Sequence, residues 1–106
     1  MIVSTTNDIT GYRVTRHMGV VRGVTVRSRS VVGNFFGNIQ SIFGGKISVY
    51  AHLAESARQE AFDLMCQHAQ QGGANASVGM RYDANEIMDG ITEVLAYGTA
   101  VWVEPV

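Results

Sequence analysis

Apolar and polar residues alternate along the chain from Tyr12 to Val26. The even positions read Tyr12, Val14, Arg16, Met18, Val20, Arg22, Val24 and Val26, and the odd ones Arg13, Thr15, His17, Gly19, Val21, Gly23 and Thr25. A period of two marks a strand, here with one mostly apolar face. Its fifteen residues, at about 3.3 Å each, would span roughly 50 Å. A compact domain of this length has a radius of gyration near 13 Å. The strand is therefore expected to bend at Gly19 or Gly23, or to reach past its own subunit.

The pattern then changes period. Val32, Phe35, Phe36, Ile39, Ile42 and Phe43 fall at helical spacing, with Ser28 or Ser30 as the N-cap and Gly44-Gly45 as the stop. Between Arg29 and Lys46 this amphipathic helix carries no charge. Its neutral face fits one covered by a neighbouring subunit. A membrane-surface helix is the other reading, but such helices carry Lys or Arg on the polar face. A longer helix is expected from Ser48 to about Gln71, its stripe formed by Val49, Leu53, Ala57, Ala61, Leu64, Met65 and His68. The alanines would let a neighbour approach closely.

Gly72 and Gly73 follow that helix and lead into a strand, Ala76, Val78, Met80 and Tyr82 alternating with Ser77, Gly79 and Arg81. A phosphate-cradling glycine loop has the opposite polarity, because it ends at a helix N-terminus where free N–H groups lie. The glycines are read as a C-cap. The stretch DANEIMDGITE is read as a solvated hairpin connection. It leads to a last strand, Thr92–Val103, apolar on both faces over most of its length. A strand buried on both sides in so small a chain, beside a charge-free helix, points to a homo-oligomer that covers the second face.

Composition narrows the function. The 106 residues fit a single domain, 1–106, and 16% charged residues is low against roughly 25% in soluble domains, so some surface is expected to be covered. A net charge of −1 and a pI near 6.2 leave no footprint for nucleic acid. Arg13, Arg16, Arg22, Arg27 and Arg29 cluster early without interleaved aromatics beyond Tyr12, and are read as a solvated or intersubunit face. One cysteine, Cys66, excludes an intrachain disulfide and suits a reducing compartment. With no signal-peptide pattern and no apolar run long enough for a membrane span, the expected location is the cytoplasm.

Catalysis has no visible constellation: GxSxG, GxxxxGK[ST], HExxH and CxxC patterns are all missing. The expectation is a protein that is not an enzyme. Cys66 and His68, two apart on a helix, are rotated about 200° from each other and cannot grip one ion. His52 and Glu55 share a helix face but are short of the three or four ligands zinc takes from a protein. His17, on the polar strand face, could meet its own copies in an oligomer and there collect a metal or an anion. These three are the metal candidates. DANEIMDG fails as a calcium loop because its fifth and sixth positions are Ile87 and Met88. Trp102 and Tyr97 are read as core aromatics before ligand-stacking ones.

Taken together, GVVRG at 19–23, FFGNIQSIFGGKISVY at 35–50, the helix around Ala57-Arg58 and Glu60-Ala61-Phe62, GANASVG at 73–79 and GTAV at 98–101 resemble the bacterial YbjQ-like family, labelled "putative heavy-metal-binding". The match covers about residues 3–103. The resemblance implies an α+β subunit with long bent antiparallel strands and two helices, of dodecin-like architecture, assembling into a ring-like pentamer. It also implies a divalent metal as cofactor, without naming residues that bind it. Some members carry a cysteine just before GVV, where this chain has Met18, and GADA where it has GANA with Asn75. The leading reading is a homo-oligomeric binding module for a metal, a small molecule or an anion. The alternatives are an enzyme with a site assembled between subunits, and a structural ring recruiting a protein through the 31–43 helix.

Overall fold

The computed structural model of the protein describes residues 1–28 and 46–106. The amphipathic helix expected at 31–43 lies outside the described residues. Within them the chain forms β1 (Ile2–Val3), β2 (Tyr12–Ser28), α1 (Lys46–Gln71), β3 (Ala76–Met88) and β4 (Ile91–Pro105). This is the expected α+β class, with, among the described residues, one helix and a four-stranded sheet in the order β1-β3-β4-β2. The sheet is mixed rather than antiparallel throughout, because β1 pairs in parallel with β3 at Ala76 and Ser77.

Long strands make a long molecule. It measures 52 × 27 × 20 Å with a radius of gyration of 16.8 Å, well above the roughly 13 Å of a compact domain this size. The register of β2 shifts at two places, between Val14 and Arg16 and between His17 and Gly19, and bulges of this kind are where strands bend. Gly19 takes a φ of 96° there, a value that side chains with a Cβ rarely adopt. The register runs unbroken through Gly23, where the helix backbone comes close instead.

Helix α1 ends as the double glycine predicts. Gly73 N–H donates to Gln70 O and Ala74 N–H to Ala69 O, both at 3.0 Å, with Gly73 at positive φ. That bond pair is a Schellman cap. The buried stripe of the helix is Ala57, Ala61, Met65 and Ala69, narrower than the one expected, and Leu64 lies outside it, exposed. With Val21, Met80, Val94, Ala96 and Ala100 from the sheet these residues form the main core. A second cluster, Ala76, Val78, Val101 and Val103, has Ile2, Ile9 and Val14 packed on it. Ala100 and Val101 are neighbours in one strand and so point to opposite faces. The two clusters therefore lie on opposite faces of the sheet.

The structure decides two points about the strands that alternation alone leaves open. A mostly apolar face is ordinarily the core face, yet in the second half of β2 it is Val21, Gly23 and Thr25 that are buried under α1. Val20, Val24 and Val26, on the apolar even face, are 71%, 42% and 51% exposed. The small odd side chains win because the helix can only come close where they are. In β3, Met80 leaves the face of Ala76 and Val78 and joins the helix-side core. The cause is a register shift between Val78 and Arg81, with Gly79 at a φ of 62°, which flips the alternation. DANEIMDGITE forms the exposed hairpin expected of it, with strand on both sides of the turn, since β3 runs to Met88 and β4 starts at Ile91. The turn is Asp89-Gly90 alone, and Gly90 N–H donates to Glu86 Oε1 at 2.9 Å.

Candidate functional site

The metal candidates fall in different places. His17 is exposed on the first half of β2, opposite Val101 near the end of β4. His52 and Glu55 lie on the outer face of α1, where Ser56, Gln59, Glu60 and Asp63 join them around one depression. The first half of α1 also borders Ala84, Thr92 and Val94, at the opposite end of the sheet from His17. One copy therefore does not bring His17 to His52 and Glu55. Among the described residues no group of three or more His, Cys, Asp or Glu side chains is placed to hold a metal ion.

Cys66 and His68 diverge as their spacing requires. Cys66 packs against the main core, and burial, with the Asp63 carboxylate second, pushes its thiol above the ordinary value of 9.0. The thiol is protonated at neutral pH and makes a poor ligand, since metals and alkylating agents both take the thiolate. Iodoacetamide is expected to react with it several-fold more slowly than with free cysteine at pH 8, the rate climbing only in more alkaline solution. Equal rates at pH 8 would show that burial does not govern this thiol. His68 instead turns to the edge of β2, where Arg22 N–H donates to its Nδ1 at 3.2 Å. That bond fixes the ring against the strand and leaves Nε2 as the nitrogen free of this contact.

Asn75 proves to be a structural residue. Its Nδ2 donates to Val103 O and its Oδ1 accepts from Val103 N–H, each at 2.8 Å. The side chain thus acts as one more rung of ladder between β3 and β4, just before β3 begins. The sequence reading missed this role, although an Asn directly before a strand of small residues is the available signal. Both of its polar groups are engaged by Val103, which commits the side chain to the sheet.

A cleft of about 440 Å³ opens between the first half of α1 and the β3–β4 hairpin. Leu53, Ala54, Ala57, Ala84 and Val94 make it apolar, and Arg27, Arg58 and Glu86 stand around it. Arg27 pairs with Glu60, and the Arg58 guanidinium lies 5.8 Å from the centre of the Tyr82 ring, within cation–π range. Tyr97 and Trp102, read from the sequence as core aromatics, are 37% and 39% exposed.

A long four-stranded sheet with a helix packed on one face and part of the other face open defines a small α+β fold. A family model described as "Putative heavy-metal-binding" matches residues 1–104, and the chain belongs to this YbjQ family. A UPF0145 protein of Chromobacterium violaceum is 62% identical over 104 residues, spanning 98% of this chain and 89% of that one. A UPF0145 protein of Solibacter usitatus is 58% identical over 103 residues, spanning 97% and 92%. Among solved structures, a protein of unknown function of the DUF74 family from Pediococcus pentosaceus aligns over 98% of both chains. Its TM-score is 0.55 and its identity 15%, which supports a shared fold. Among the described residues no helix is long and apolar enough to cross a membrane.

Proposed function

We propose that the protein is a non-enzymatic, homo-oligomeric binding module, a ring of like subunits, whose ligand is a divalent or heavy metal ion held by donors from more than one copy. The observation that carries the reading is the open apolar sheet face. Val20, Val24 and Val26 are exposed there beside Tyr97, and β2 and β4 pair Val24 with Leu95 and Arg22 with Tyr97. An apolar patch that spans two neighbouring strands is a surface a partner covers. The metal part of the reading takes its support from the family description. Sharing between copies follows from the separation of His17 from His52 and Glu55, which leaves each with too few companions in one chain. Five copies is the number the family resemblance implies.

Native mass spectrometry before and after a chelator tests assembly and ligand together. The expected spectrum is a pentamer with extra mass that the chelator removes. A monomer would overturn the assembly, and a bare pentamer would overturn the metal while leaving the ring in place.

A further inference from the structure

We infer that copies of the chain join head to tail through their sheet edges, the acidic outer edge of β3 in one copy lying along the basic outer edge of β2 in the next. This rests on the assembly proposed above and adds the sheet edges to the open apolar face as a contact between copies.

The sheet order puts β2 at one edge, and β3 forms most of the other because β1 covers it only at Ala76 and Ser77. The segment after β1 extends that cover a little, Gly79 N–H donating to Thr6 O and Met80 N–H to Ser4 O. From Arg81 to Met88 no strand among the described residues pairs on the outer side, and every one of these residues is exposed. On β2 the helix reaches the outer edge at Arg22, through His68. The stretch Tyr12–His17 has β4 on one side and no strand of the described residues on the other. Strand edges with unpaired N–H and C=O groups are templates for another chain.

Charge decides which edge meets which. The exposed edge of β3 holds Asp83 and Glu86, with Asp89 in the turn beyond, and its one base, Arg81, is turned to the Thr5 and Met80 carbonyls. Strand β2 holds Arg13, Arg16, His17, Arg22 and Arg27 with no acidic residue. Among the described residues its ion pair is Arg27 with Glu60, so Arg13 and Arg16 remain for a partner. Pairing β2 with β2, or β3 with β3, would set like charges side by side, which is disfavoured across strands. Each edge also carries exposed apolar side chains for the contact, Tyr12 on β2 and Ile87 and Met88 on β3. Because the two edges differ, the contact is heterologous, and repeating it closes a ring when the rotation allows.

The test reverses the charges. D83K/E86K gives a chain with two basic edges, and R13E/R16E gives one with two acidic edges; circular dichroism checks that each keeps its fold. Each variant alone is expected to raise the midpoint concentration for assembly at least tenfold, and an equimolar mixture to reassemble with both kinds of subunit in each particle. Both variants assembling as the native chain does would overturn the edge contact while leaving an oligomer in place. A native chain that is itself monomeric would instead overturn the assembly on which it rests.

Discussion

Gly23→Ala is expected to destabilise the protein by about 3 kcal/mol or more, the upper end of what one added methyl costs in a packed core. A Cβ at this position would sit 2.1 Å from Ala61 O, 2.5 Å from Met65 N and 2.8 Å from Leu64 Cβ. Two of these atoms belong to the helix backbone, so no side chain can swing aside to make room. The helix as a whole would have to lift from β2, and the contacts of Ala57, Ala61 and Met65 with the sheet would loosen together. Each kcal/mol lowers the melting temperature of a small domain by roughly 4–8 °C, which predicts a fall of about 12 °C or more. Thermal melts at one fixed protein concentration read this, since assembly also shifts the midpoint. Gly19→Ala is the comparison, because a Cβ there meets nothing within 4 Å. Its cost comes from the positive φ alone, roughly 1–2 kcal/mol. A Gly23→Ala protein as stable as the Gly19→Ala one would show that the helix does not rest on the strand at Gly23.

Asn75→Ala is expected to cost about 2–4 kcal/mol, the loss of two hydrogen bonds together with the penalty for leaving their partners bare. Val103 is only 2% exposed, so water has poor access to its N–H and C=O once the amide is gone. Asn75→Asp should fall between the native chain and the alanine variant. A carboxylate still accepts from Val103 N–H but has no proton to give the carbonyl. Urea titrations of the three proteins check the order, and hydrogen exchange at Val103 should speed up most in the alanine variant. An alanine variant of native stability would mean the end of β4 is held by its other neighbours.

Much of the fold was legible in the sequence. Alternation marked β2, a run apolar on both faces marked β4, and the alanine spacing with its double-glycine stop marked α1 to within two residues at its start. Those signals are local, arising from the period of side chains around a helix or along a strand and from the backbone freedom of glycine at a cap. The ordered motifs from GVVRG to GTAV also carried the family. The candidate site was less legible: His17, His52 and Glu55 could be named, but their separation in one copy could not. That distance depends on which end of β2 the helix reaches.

What the tertiary structure alone decided was which face of each strand is inside. A period of two separates two faces without saying which one the helix covers, and in β2 hydrophobicity favoured the wrong one. Gly23, with Val21 and Thr25 beside it, offers the helix a close approach that Val20, Val24 and Val26 would block, so the smaller face is buried and the more apolar one is left open for a partner. A bulge at Gly79 then reverses the alternation in β3, and Asn75 spends its side chain on a strand two elements away in the chain. These outcomes depend on contacts between residues far apart in sequence, where close packing and hydrogen-bond satisfaction overrule the local pattern.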